Sequence, residues 1–218
     1  MSGPANDSGF DPYARDYEQA LGRARRSHGI RAHAVCDYGC GTGDTVPLLR
    51  ELLGAERLLG LDSSQASLGE ARRCHALPGV VWAPPNDATL GAGAGQYDLA
   101  YCNGVFHHIP PTERLACARQ VLQLLRPGGL WFFWENNPYN PGTRWVMSRI
   151  PFDRDAITLR PAEARRLGAQ AGGRWLETSY HFYFPKFLRA LRRAEPWLRA
   201  LPLGREYWRY GVFSLRSG

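Results

Sequence analysis

Lysine is nearly absent. Lys186 is the only one, so arginine carries almost all of the positive charge behind the formal net charge of +7. Basicity spread along a chain in this way reflects composition as readily as a binding surface, and it supports only weak statements about anionic partners. Long apolar runs are missing as well. No stretch approaches the roughly 20 residues needed to span a bilayer, and the opening MSGPANDSGF lacks the charged-then-apolar order of a secretory leader. A cytoplasmic protein is expected, neither secreted nor integral. Cysteines are few and odd in number (Cys36, Cys40, Cys74, Cys102, Cys117), and no second pair follows Cys36 and Cys40. Reduced thiols and no metal site are therefore predicted. Disorder is excluded by 44% hydrophobic and only 22% charged residues. Internal repeats and low-complexity tracts are lacking. A length of 218 residues suits one domain, 1–218, with a sizeable core.

Hydrophobic periodicity divides the chain. From Phe10 to Arg26, the positions Tyr13, Tyr17, Ala20, Leu21 and Ala24 form a helical stripe, which predicts an entry helix over 10–26. HAVCDYG reads as a strand running into a glycine-rich turn, and VPLLRELLGAE as the helix that follows. RLLGLD, GVVWAP, YDLAYCN and LWFFWEN are further strands. Helices are predicted at SQASLGEARRCH, at ERLACARQVLQLL (stopped by RPGG) and at PAEARRLGAQAG. The polar PNDATL reads as a turn, and Asn136 to Pro151 as a loop with three prolines. WLETSYHFYF and REYWRYGVFSLR are late strands, with a basic helix between them near PKFLRALRRAEPWLRAL. The alternation is that of βαβ units around a parallel sheet.

The turn after the first strand, Asp37-Tyr38-Gly39-Cys40-Gly41-Thr42-Gly43, has the pattern DxGxGxG. Alternating glycines let the backbone bend tightly and approach a ligand. A dinucleotide fingerprint would need glycine where Asp44 stands, and a carboxylate there repels a pyrophosphate at a helix N-terminus. A cationic nucleoside fits better, complemented by Asp37 and Asp44. Asp62, 19 residues beyond Gly43 at the end of the second strand, is placed to accept hydrogen bonds from ribose hydroxyls. Asp87, after the third strand, is placed for an adenine amino group. Taken singly, each acid is as easily a helix cap or turn residue; three strand ends in series argue for a site.

With these residues in view, the chain from Phe10 to Trp134 resembles the class I S-adenosylmethionine (SAM)-dependent methyltransferases, bacterial small-molecule type. The glycine loop, Asp62, the Asn86-Asp87-Ala88 triplet, YDLAYCNGVFHHIPP and LRPGGLWFFWEN carry the likeness. The resemblance implies an α/β, Rossmann-like, seven-stranded and mostly parallel sheet with helices on both faces and an antiparallel last strand. It implies SAM as cofactor, with S-adenosylhomocysteine as product. The implied cofactor residues are Asp37, Gly39, Cys40, Gly41 and Gly43, then Asp62, Ser63, Asn86, Asp87, Ala88 and Asn103. Tyr13 and Tyr17 can close over the sulfonium by cation-π contact, or simply pack the entry helix. The SAM-binding core is expected at 33–135, and substrate-side loops with a cap helix at 136–204.

The acceptor is expected beyond the fourth strand, near Asn103, Val105, His107 and His108. Imidazole titrates near neutrality, so His107 and His108 are the candidate bases, with Glu135 a third catalytic candidate. Asn137, His107, His108 and Tyr13 are the candidate substrate contacts; the plainer reading of ENNPYNP is turn chemistry. Asn136-Asn137-Pro138-Tyr139 looks like a base-flipping signature, but it follows the wrong strand and has asparagine where proline belongs. Phe184 to Leu203 is either a cap helix over the pocket or a peripheral contact for membrane or a lipid-linked acceptor. The expected partner is a small-molecule acceptor of a methyl group on oxygen or nitrogen, for a monomer or homodimer. An RNA methyltransferase and a SAM-binding protein without turnover are the alternatives, the first disfavoured by the dispersed arginines.

Overall fold

The computed structural model describes residues 21–22, 32–153, 155–184 and 186–213. Seven strands form one sheet: β1 (Ala34–Tyr38), β2 (Arg57–Leu61), β3 (Val80–Ala83), β4 (Tyr97–Asn103), β5 (Leu125–Asn136), β6 (Gly173–His181) and β7 (Glu206–Phe213). Their order is β3-β2-β1-β4-β5-β7-β6. β3, β2, β1, β4 and β5 pair in parallel, and β7 runs antiparallel to both β5 and β6. This is the Rossmann-like, seven-stranded sheet that the resemblance implies.

The central strands are buried on both faces, so their sequences are continuous apolar runs rather than alternating ones. Val35, Leu130, Phe132 and Trp134 point into one core layer. There they meet α1 (Thr45–Leu53) through Val46, Leu49 and Leu53, and α2 (Gln65–Cys74) through Leu68 and Ala71. Cys36, Tyr38, Trp131 and Phe133 point into the other. Its cover is Leu90 of α3 (Asp87–Gly93), Ala118, Val121 and Leu122 of α4 (Arg114–Leu124), and Ala164 and Leu167 of α6 (Pro161–Ala171). Each fully buried aliphatic side chain contributes about 1.5–3 kcal/mol, so the period-two alternation of β5 fastens both helical layers at once. Asp98 ties the base of the sheet together. Its carboxylate accepts from the backbone N–H of His33 (2.7 Å) and Ala34 (2.9 Å) and pairs with Arg126 Nε (2.9 Å).

Four local expectations change. PNDATL is a helix start, because Asn86 accepts from Thr89 N–H at 2.9 Å and α3 follows. The stretch expected to be a loop before Pro151 holds α5 (Pro141–Met147), begun by Asn140 as cap with Pro141 in the first turn. RPGG does not separate helix from strand: β5 starts at Leu125, and its pairing with β4 is irregular between Tyr97 and Leu99. The basic helix near the C-terminal end is not continuous. A 3-10 run, Lys186–Ala194, breaks at Leu188 and passes into a single α-turn, α7 (Glu195–Leu198). Pro196 has no N–H to carry an α-ladder across the junction. The entry helix lies almost wholly outside the described residues, as do Tyr13 and Tyr17; Leu21 is buried in the core. No helix among the described residues is long and apolar enough to cross a membrane.

Candidate active site

The chain leaves β1 for β2 and β3 on one side and returns to β4 on the other, so the strand order reverses between β1 and β4. A crevice opens at the carboxyl ends of strands at such a point. The glycine loop occupies one lip. Gly39, Gly41 and Gly43 all have positive φ (79°, 53° and 85°), which side chains other than glycine's tolerate poorly. Their surroundings differ. A Cβ on Gly39 would meet Val105 Cγ2 at 2.3 Å, and one on Gly43 would meet the Trp82 ring at 2.5 Å. On Gly41 it would meet nothing within 4 Å. Two glycines thus permit close packing, and the middle one borders open space.

That space is a cavity of about 720 Å³, within the range of small-ligand sites. Gly39, Gly41, Asp62, Ser63, Asn103 and His108 are among its lining residues. Asp62 is held from behind: one carboxylate oxygen accepts from Gly41 N–H and the other from Ser64 N–H, both at 2.8 Å. Each oxygen keeps a lone pair for a ligand. Asp37 is buried beneath the loop, and its Oδ2 has no hydrogen-bond partner. Burial, and then the Asp62 charge, push its carboxyl up from 3.8 to about 7.

On the opposite lip, the turn after β4 carries His107 and His108, their rings 4.1 Å apart. His107 is buried; its Nδ1 lies 2.6 Å from Glu135 Oε2, and Glu135 Oε1 accepts from Phe106 N–H at 2.6 Å. Asp153, at the end of the 3-10 turn Pro151–Asp153, places Oδ1 3.7 Å from His107 Nε2 and 3.6 Å from His108 Nε2. Burial by itself lowers the His107 pKa, but the hydrogen bond and charge of Glu135, with Asp153 behind them, raise it overall. His108 is lowered, by burial first and then by its charged neighbour His107.

Residues 35–129 match the family model described as "Methyltransferase domain". The chain is 34% identical over 140 residues to trans-aconitate 2-methyltransferase of an Azoarcus species, covering 64% of this chain and 50% of that protein. It is 32% identical over 148 residues to ubiquinone biosynthesis O-methyltransferase of Escherichia coli, covering 65% and 58%. The fold matches a SAM-dependent methyltransferase of Archaeoglobus fulgidus with a TM-score of 0.66 at 15% identity, over 91% of this chain and 94% of that one. The chain thus matches a methyltransferase domain over residues 35–129 and has the fold of SAM-dependent methyltransferases. It spans little more than half the length of the curated relatives it matches.

Of the residues predicted for the cofactor and acceptor, the structure gathers Gly39, Gly41, Asp62, Ser63, Asn103 and His108 around one cavity. Others stand apart from it. Cys40 packs into the core and Gly43 against Trp82. Asn86, Asp87 and Ala88 are exposed at the start of α3, and it is Pro85 that reaches the cavity wall. Asp44 faces away, accepting from Thr42 Oγ1 at 2.7 Å and lying 3.1 Å from His75 Nε2. His107 and Glu135 form a buried pair behind His108. Asn137 is fully buried, its amide donating to the backbone oxygens of Pro202 (3.1 Å) and Gly204 (2.6 Å) while Oδ1 accepts from Tyr139 N–H. The turn-chemistry reading of ENNPYNP describes that contact set. Asp153 was missed by the sequence reading: it stands 45 residues beyond His108, and no local motif marks it.

Proposed function

We propose that this chain transfers the methyl group of SAM to an oxygen of a small molecule held beside His108, with nitrogen as the second choice of acceptor atom. The observation that carries the reading is one cavity, at the reversal of strand order, with the Gly41–Asp62 contact on one wall and His108 on another. The residues fit the cofactor. Asp37 Oδ2 is a buried oxygen without a donor, suited to a cation, and Gly41 borders empty space. Asp62 would take the ribose hydroxyls, Ser63 and Asn103 would flank the nucleoside, and Asp87 stands near Pro85 for the adenine end. Gly43 and Cys40 shape the loop from behind. When bound, SAM supplies an electrophilic methyl carbon on a sulfonium that departs as neutral S-adenosylhomocysteine.

The protein's own task is alignment, which can lower a barrier by about 7–11 kcal/mol when reacting atoms are held in line. An acceptor hydroxyl gives its proton to His108 Nε2 and keeps the electron pair that makes it a nucleophile; the lowered pKa of His108 leaves its imidazole neutral and able to accept. His107, fixed by Glu135, positions the adjoining turn. Oxygen is favoured because a relative's printed name is that of an O-methyltransferase. Residues 33–135 form the cofactor half of this single-domain scheme and 136–204 the acceptor side. Exposed Trp197 and Leu203 near the basic 3-10 run support a lipid-linked acceptor within the same scheme. The test is calorimetry with SAM, followed by release of S-adenosylhomocysteine with panels of phenolic and carboxylate acceptors. Uptake of NAD or a nucleoside triphosphate with no response to SAM overturns the reading.

A further inference from the structure

The His107, His108 and Asp153 side chains converge on one point. Each offers one ligand atom, and these lie within 4.8 Å of one another. The two Nε2–Oδ1 separations, 3.7 and 3.6 Å, are too long for N–H···O bonds, which run at about 2.7–3.2 Å. They are close to what a shared ion imposes: with bonds of about 2.0–2.1 Å to nitrogen, neighbouring ligand atoms of a zinc-like centre sit about 3.0–3.4 Å apart. A shift of a few tenths of an ångström brings both histidine–carboxylate separations to that value.

The residue behind the trio strengthens the case. The 2.6 Å contact between Glu135 Oε2 and His107 Nδ1 leaves Nε2 as the ring nitrogen that faces Asp153 Oδ1. A carboxylate on the far nitrogen of a ligating imidazole is the usual outer partner of a metal-bound histidine, fixing tautomer and ring orientation. Glu135 is itself fixed by Phe106 N–H. His108, which also lines the cavity, brings the set to the acceptor wall.

We propose that His107, His108 and Asp153 form a binding site for a divalent zinc-class ion on the acceptor side of the cavity. Three protein ligands leave a fourth position open, as in catalytic rather than structural zinc sites. That position takes the acceptor's oxygen. Coordination lowers the pKa of a bound hydroxyl, whose proton leaves to solvent while the O–H electron pair stays on oxygen. His108 then serves as a ligand in place of a base. This deepens, and rests on, the methyltransferase reading.

The experiment is binding of Zn²⁺ to metal-stripped full-length protein in competition with a chromophoric chelator, and of Co²⁺ by its visible ligand-field absorption. The same preparations are titrated with SAM. One ion per chain is expected, with intense tetrahedral-type Co²⁺ bands. Glu135→Gln should weaken it by roughly 10–100-fold, as lost outer partners do, and His108→Ala and Asp153→Asn by more than that, with SAM affinity unchanged in Asp153→Asn. Asp153→Asn is isosteric and only partly buried, which guards against a variant that misfolds. No stoichiometric binding, or binding indifferent to Asp153→Asn, overturns the proposal. If turnover then persists in excess chelator, the methyltransferase reading stands with His108 as base. Loss of SAM binding by the parent protein sinks that reading whatever the metal result.

Discussion

Replacing Asp37 with asparagine keeps the shape of a buried side chain and removes its ability to ionise. The wild-type carboxyl is raised from 3.8 to about 7, by burial first and the Asp62 charge second. That is a little over three pKa units, each equivalent to 1.36 kcal/mol, or about 4 kcal/mol between the two protonation states. Because the folded value lies above the unfolded one, the stability linked to this group is fully present below about pH 4. It drains away as the pH rises through about 7. Asparagine is neutral throughout. The ligand-free variant should therefore gain on the wild type as pH rises, the difference growing by about 2–3 kcal/mol between pH 5 and pH 8. Denaturant unfolding of both proteins at the two pH values measures it. Ligand binding should move the other way: wild-type affinity for SAM rises with pH through about 7, because a cation favours the carboxylate, while the variant binds more weakly and without that dependence. A stability difference that ignores pH, or equal SAM affinity in the two proteins at pH 8, would refute the assignment of Asp37 as a buried anion awaiting a cation.

Asp62→Ala removes the acceptor for Gly41 N–H and Ser64 N–H along with the ribose contact, and should weaken SAM by about 1–3 kcal/mol in calorimetry. Gly41→Val should leave a folded protein that no longer binds SAM, since its Cβ has no protein atom within 4 Å and the side chain projects into the cavity's border; the positive φ costs about 1–2 kcal/mol, readable as a lower melting temperature. Gly39→Val, by contrast, should damage the fold itself by pushing on Val105, visible in circular dichroism before any ligand is added. Glu135→Ala strips Phe106 N–H and His107 of their buried partner and should cost about 3–5 kcal/mol of stability in denaturant titration. Asn137→Ala should lower stability by about 1–3 kcal/mol with SAM affinity intact, because its amide serves the Pro202–Gly204 backbone.

Much of the architecture was legible in the amino-acid order. The runs of β1, β2, β4 and β5 are apolar because they are buried on both faces, and the glycine loop, Asp62 and the histidine pair mark the ends of strands that a βαβ chain must bring to one edge. Asn140 and Pro141 carried a readable helix start, hidden by reading prolines only as breakers. Local sequence settles such features because they depend on dihedral preference and on periodic burial, both properties of neighbouring residues. The partition of roles inside the site was decided elsewhere. Whether Asn137 faces a ligand or a backbone carbonyl, whether Glu135 meets substrate or imidazole, and that Asp153 joins the histidines all depend on segments 28 to 67 residues apart. Hydrogen bonds and ion contacts of that span exist only after the sheet has closed and its connecting turns have packed, so no pattern along the chain encodes them.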